Sequence, residues 1–289
     1  MTDTAQGPEV PQTLEGYYLL HDVYRVDWPR LRTMDARKRE ETVSAAQVWL
    51  TEMAAVERGD SAAYSVITQK GDLMFLHYRE TPEQLNQIEL SLRQTALFEF
   101  LQPVYSYFSV IELSMYELTA IARKKLMDQG IKPGSDEFEE AYDVEMEKQK
   151  VRVQTRLFRK VPEHRFICFY PMNKRRGEQV NWYSLSMEER RDMMRNHGRI
   201  GHKYHESITQ IIGGSVGLDD WEWGVSLHSD DALPFKKLIY EMRFDPASAL
   251  FAEFGPFYVG VRFEPKRMSD FLAGRLEPVE TGGRRTKAE

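Results

Sequence analysis

Two rhythms of apolar residues take turns along this chain. Runs with two-residue alternation mark strands, and residues three and four apart mark helices. The first strand is Gly16 to Val26, and Pro29 to Arg58 then reads as one helix, with Val43, Ala46, Val48, Trp49, Leu50 and Met53 as its apolar surface. Strands at 63–68 and 72–78 follow, with Lys70-Gly71 near the turn between them. Thr81-Pro82 opens a second helix, with proline in the first turn, where its missing N–H costs little. Leu85, Ile88, Leu92 and Ala96 keep helical spacing there, and an aromatic-rich strand runs from Gln102 to Leu113. The second half repeats this order: a strand at 165–172, a helix at 186–205, strands at 208–217 and 221–228, a helix at 232–242, a short apolar segment at 247–254 and a last strand at 257–263. Each half is β-α-β-β-α-β, the ferredoxin-like arrangement. The predicted fold class is α+β, with the two ferredoxin-like halves forming a dimeric α+β barrel within one chain. What repeats is the order of elements, not the residues.

The same pattern sets the expected boundaries. Residues 1–15 are polar, with Pro and Gly, and read as a flexible tail; 16–114 form the first half and 160–264 the second. Between them 115–159 is a charged connector, helical in two pieces broken at Gly130-Ile-Lys-Pro-Gly134, with Ser135 able to cap the second. Its end, Val151 to Phe158, alternates and reads as an entering strand. Residues 265–289 are rich in Gly, Glu, Arg and Lys and read as a second flexible tail.

Composition narrows the function classes. A chain of 289 residues with 42% hydrophobic and 12% aromatic content can bury a full core. A net charge of −6 gives no electrostatic reason to expect nucleic acid. Basic residues gather at Lys174, Arg175 and Arg176 and again at Arg190, Arg191 and Arg195, which leaves room for one positive patch. A single cysteine, Cys168, excludes an internal disulfide, a cysteine-rich zinc site and a cysteine-held iron–sulfur cluster. No N-terminal segment resembles a signal peptide and no apolar run approaches bilayer length, so a cytoplasmic protein without a transmembrane segment is expected.

The chemistry concentrates between Arg165 and Trp223. An apolar strand ends there in Tyr170-Pro-Met-Asn-Lys174, and Ser186-Met-Glu-Glu189 announces a helix by a capping box. On that helix His197 shares a face with Met193, Met194, Ile200, Gly201 and Tyr204. Gln210 is the one amide in the apolar run that follows. On spacing alone, a histidine in such surroundings is more often a satisfied core residue than a metal ligand, and Tyr170–Lys174 fits an ordinary strand end. Arg156 has a guanidinium suited to clamping a carboxylate, but on its own reads better as a surface residue.

Taken together, Tyr170-Pro-Met-Asn-Lys174, Asn181-Trp-Tyr183, Met187-Glu-Glu-Arg190, Met194-Arg-Asn-His-Gly198, Gln210 to Gly217, Trp221-Glu-Trp-Gly-Val225 and Tyr240 to Asp245 resemble the chlorite dismutase-like superfamily, over roughly residues 16–263. The resemblance is nearest to its coproheme decarboxylases with a distal glutamine. It implies a cytoplasmic enzyme that uses hydrogen peroxide to turn two propionates of iron coproporphyrin III into vinyl groups, giving haem b. It also implies His197 as axial iron ligand, Tyr170 as the residue whose radical takes hydrogen from a propionate, and Lys174 as a cation beside the reacting carboxylates. Arg156, Pro171, Met172, Asn173 and Ser248 would join Tyr170 and Lys174 in holding the porphyrin, with Gln210 on the distal side. Glutamine there argues against chlorite chemistry, for which relatives carry arginine. A homopentamer and a transient contact with a coproporphyrin ferrochelatase are implied too. His202 departs from the pattern, since many relatives have arginine at that point.

Overall fold

The computed structural model describes residues 10–276. The first half contains β1 (Thr13–Val26), α1 (Trp28–Thr33), α2 (Ala36–Ala54), β2 (Asp60–Ile67), β3 (Leu73–Arg79), α3 (Pro82–Arg93) and β4 (Leu101–Ser114). The connector is α4 (Tyr116–Asp128) and α5 (Asp136–Leu157). The second half contains β5 (Phe166–Lys174), α6 (Met187–His202), β6 (Thr209–Gly214), β7 (Trp223–Ser229), α7 (Leu233–Met242), α8 (Pro246–Ala249), β8 (Ala252–Phe254) and β9 (Tyr258–Phe263), and α9 (Met268–Leu272) follows.

Strand order shows why this is a barrel. The sheet runs β7-β6-β4-β1-β3-β2-β9-β5-β8, and β7 also pairs with β5, which closes eight of the strands into a ring. Within it β4-β1-β3-β2 and β9-β5-β7-β6 have the same ferredoxin-like order, so the two halves are joined edge to edge at two seams. One seam is long, from Ala63↔Phe263 to Ile67↔Val259. The other is short, Val110↔Gly214 and Ile111↔Gly213. Closure leaves no unpaired edge along the ring.

Period-2 alternation then divides the side chains into layers. Inside the ring, Tyr64, Met74, Leu76, Tyr78, Tyr107, Ile167 and Phe169 form one core. His21 on β1 meets Ser226 on β7 at 2.8 Å there, a link between the halves. Outside, α2 and α3 cover the first half through Trp49, Leu50, Leu85, Ile88 and Leu92. In the second half, α6 and α7 cover Cys168, Tyr170, Val225 and Leu227.

Four expectations need correction. The single helix over 29–58 is two, because Met34 is extended and Asp35 caps the second by accepting the Lys38 N–H at 2.9 Å. The entering strand at 151–158 is the last part of α5. Phe138, Tyr142, Met146, Gln149 and Leu157 are buried at helical spacing, and this outweighs the local Val/Arg alternation. The first strand begins at Thr13, within the expected N-terminal tail, and pairs with Ser114; residues 1–9 of that tail lie outside the described region. The expected C-terminal tail folds at its start: Met268, Phe271 and Leu272 of α9 are buried in the core under α2. Residues 277–289 of it lie outside the described region. Ser135 does cap α5, accepting from the Phe138 N–H. Among the described residues, no helix is long and apolar enough to cross a membrane.

The short seam depends on glycine. A Cβ on Gly213 would strike the hydroxyl of Ser109, a fully buried residue on the neighbouring strand. Gly213→Ala is therefore expected to cost ~1–3 kcal/mol, as overpacking does, read as a lower urea midpoint with an unchanged slope.

Candidate functional site

β5 has one face in the barrel and the other in the site. Ile167 and Phe169 point into the ring, while Cys168, Tyr170 and Met172 join the layer under α6 and α7. Lys174 has the same parity, so phenol and ammonium stand on one face, four residues apart. Pro171 and Asn173 have the opposite parity. Pro171 packs toward Gly255 and Trp221, and the Asn173 side-chain carbonyl accepts the Glu222 N–H at 2.7 Å.

Tyr170 is 5% exposed, stacked on Phe257 at 4.6 Å between ring centroids. Burial pushes its phenol well above the ordinary tyrosine range, and Arg243, whose guanidinium lies over Phe254, opposes this. It therefore keeps its proton at any working pH. Lys174 is 8% exposed. Its Nζ donates to the Ala247 carbonyl at 2.7 Å and sits 4.4 Å from the centre of the Trp182 ring. Burial brings its pKa down to about 8, against the pull of Asp245 and Glu222.

α6 starts as expected: Ser186 accepts the Glu189 N–H at 3.2 Å and Glu189 accepts the Ser186 N–H at 2.9 Å. Met193 and Met194 pack toward Trp182 and Ala247, and Ile200 and Tyr204 pack in the layer with Tyr170. His197 lies between these two contacts. Its Nδ1–H donates to Asp245 Oδ2 at 2.8 Å, the acid side chain being 1% exposed and the imidazole 24%. That bond fixes the tautomer and leaves Nε2 with the free lone pair. Ser248 is buried in α8, and its N–H donates to the Asp245 carbonyl at 3.0 Å.

Gln210 is on β6 beside this layer. Its amide oxygen lies 3.9 Å from where a Cβ on Gly201, one turn beyond His197, would stand. Arg156 is exposed in the last turn of α5, outside the group. His202 is exposed and stacked on His205, with ring centroids 4.4 Å apart. Four of the six basic residues that could form a positive patch meet carboxylates once the chain folds. Arg175 meets Glu253, Arg176 meets Glu222, Arg191 meets Glu188 and Asp192, and Arg195 meets Asp192.

The residues that sequence reasoning passed over are Asp245, Glu222 and Trp182. All three lie in blocks quoted for the resemblance, and Asp245 carried a further signal. It precedes Pro246 at a helix N-cap, yet its side chain is not spent on capping.

Among the described residues no cluster of three His, Cys, Asp or Glu could cage a metal. His197 can serve iron only where a macrocycle supplies most of the ligands. An oriented imidazole with apolar walls and an ammonium nearby fits an anionic metalloporphyrin.

The family model for chlorite dismutase matches residues 39–263. The chain belongs to the chlorite dismutase family. Within that family, it is 37% identical to a structure described as a novel heme-binding protein from Thermus thermophilus, with a TM-score of 0.78 over 92% of this chain and 98% of that one. It is 41% identical, over 94% of its length, to a protein of Natronomonas pharaonis provisionally named as heme-binding, and spans 43% of that relative. A chlorite dismutase variant from Candidatus Nitrospira defluvii shares the fold, with a TM-score of 0.67 at 16% identity over 89% of this chain and 96% of that one.

The low pKa of Lys174 has a stability consequence. A buried lysine whose folded pKa is about 8, below the ordinary 10.5, destabilises the fold wherever it is charged. The penalty is full below pH 8 and fades as pH rises toward 10.5. Lys174→Met is therefore expected to raise the melting temperature most below pH 8, with the advantage shrinking above it; a pH series of melting curves checks this.

Proposed function

We propose that this chain binds iron coproporphyrin III and, with hydrogen peroxide, converts two of its propionates to vinyl groups, giving haem b through a monovinyl, tripropionate intermediate. One observation carries the reading. A single strand, β5, carries the buried Tyr170 and Lys174 on one face, next to the helix whose His197 is oriented by Asp245. Family membership and the heme-binding descriptions of two relatives support a porphyrin ligand.

Each residue then has a task. Nε2 of His197 binds the substrate's iron, and the Asp245 carboxylate makes that nitrogen a stronger donor. Tyr170 keeps its proton and donates it in a hydrogen bond to a propionate. When the phenol gives up an electron, the proton leaves with it toward that carboxylate, and the phenoxyl takes a hydrogen atom from the neighbouring carbon. Lys174 holds the carboxylate by charge, with Ser248 as a further propionate contact; Arg156, exposed in the last turn of α5 and outside the group, is given no part. The bound iron supplies the oxidising power of peroxide. The balance per arm is –CH2–CH2–COOH plus H2O2 giving –CH=CH2, CO2 and two H2O. Gln210 offers an amide and no charge, which disfavours retention of an oxychlorine anion. A cytoplasmic homopentamer fed by a coproporphyrin ferrochelatase belongs to the same reading.

The relatives' descriptions favour a second reading, a carrier that releases its porphyrin unchanged. Mass spectrometry after peroxide addition separates the two, because turnover removes two CO2 units and four hydrogens. Tyr170→Phe is expected to bind iron coproporphyrin as the parent does and to give neither the monovinyl species nor haem b. Full turnover by that variant rules out the mechanism. Asp245→Asn is expected to weaken porphyrin binding by ~10–100-fold, as loss of a carboxylate behind a ligating histidine does, measured by absorbance titration.

A further inference from the structure

Glu222 lies in the loop before β7 and has no assigned part in the reaction, yet its side chain is only 7% exposed. Its Oε2 accepts the backbone N–H of Lys174 at 2.8 Å, and its Oε1 is 3.4 Å from the Nε of Arg176. Burial and the neighbouring Glu222 carboxylate push the Tyr183 phenol well above the ordinary tyrosine range. On the main chain, its N–H donates to Asn173 Oδ1 at 2.7 Å and its carbonyl accepts the Ser215 N–H at 2.8 Å. Asn173 and Lys174 are thus clasped by one residue from both ends. The far end of Lys174 is held separately, by the Ala247 carbonyl and the Trp182 ring.

A glutamine would accept the Lys174 N–H equally well and be cheaper to bury, because an ionised carboxylate loses far more hydration than an amide. The negative charge therefore needs a reason beyond shape. Arg176 gives little of one: its side chain is 64% exposed, where an ion pair is screened. The Lys174 ammonium is buried, and the charges of Asp245, in the turn after α7, and of Glu222, before β7, both act to keep it protonated.

We propose that Glu222 is a positioning residue for the reaction, fixing the last two residues of β5 and keeping the Lys174 side chain charged toward the substrate's carboxylates. Its meaning for catalysis rests on the decarboxylase reading; the coupling between Glu222 and Lys174 does not.

The test begins on the protein without porphyrin. Lysine side chains are labelled with 13C and 15N, the Lys174 signal is assigned with Lys174→Arg, and it is titrated by NMR. The midpoint, about 8 in the parent, is expected to fall by about one unit in Glu222→Gln, as removal of a nearby opposite charge requires. Glu222→Asp keeps the charge but shortens its reach, so it should give a smaller fall in the same direction. In the same variants the alkaline limb of iron-coproporphyrin affinity against pH moves down with the midpoint. A purely structural role would weaken binding at every pH and leave the midpoint in place. An unmoved midpoint in folded Glu222→Gln, or in Glu222→Asp should the first not fold, overturns the proposal. A moved midpoint in a protein that binds no iron coproporphyrin removes the decarboxylase reading and leaves the coupling standing.

Discussion

Everything around the candidate site depends on β5 serving two surfaces at once. Successive side chains on a strand point to opposite faces, so a slip of one residue would exchange them all. Here the inward set is Ile167 and Phe169, locked among barrel aromatics, with Phe169 stacked on His21 at 4.0 Å. The outward set includes Tyr170, Met172 and Lys174. Register is held by pairing on both sides, to β7 from Phe166↔Ser229 to Met172↔Trp223 and to β9 from Phe166↔Val261 to Phe169↔Tyr258. Barrel packing on one face of β5 thus aims the chemistry on the other.

Behind that surface, two buried acids do the orienting. Asp245 turns His197 so that one ring nitrogen is free, and Glu222 ties down the backbone at Lys174. Neither acid faces solvent, and each accepts a short hydrogen bond from the group that it positions. Three short elements converge to make this possible. α8 carries Ala247 and Ser248, the turn before it carries Asp245, and the 182–184 turn lays Trp182 over the lysine. Their parts are separated by more than sixty positions in sequence and meet only because β5, α6 and α8 pack together.

Much of this is legible in the chain. The strand and helix order, the capping box at Ser186 and the helix around His197 follow from local pattern, because short-range spacing and caps are properties of neighbours. The α5 terminus misleads because Val151 and Val153 alternate with polar residues over a span too short to distinguish the two periods; burial at Phe138, Tyr142, Met146 and Gln149 decides it only over the whole helix. The fold of α9 is hidden because Met268, Phe271 and Leu272 are few, and gain their value from α2, which lies far away in sequence. Asp245 and Glu222 are invisible as site residues for a related cause. An acid in a loop looks solvated until the strands that bury it are in place. The basic cluster misleads in the opposite sense, since each exposed arginine finds its carboxylate only after folding.

The unequal seams of the barrel have a mechanical side. From Ala63↔Phe263 to Ile67↔Val259 the halves are stitched along five consecutive rungs, whereas Val110↔Gly214 and Ile111↔Gly213 give two, with glycine on one side of each. Local opening favours the place with the fewest bonds to break. At the short seam the few rungs are supplemented from the loop before β7, where the Phe108 N–H donates to Asp219 and the Ser215 hydroxyl donates to the Phe108 carbonyl. Closure of the ring beside the strand that carries Gln210 therefore rests partly on a loop, while the longer seam opposite rests on the ladder.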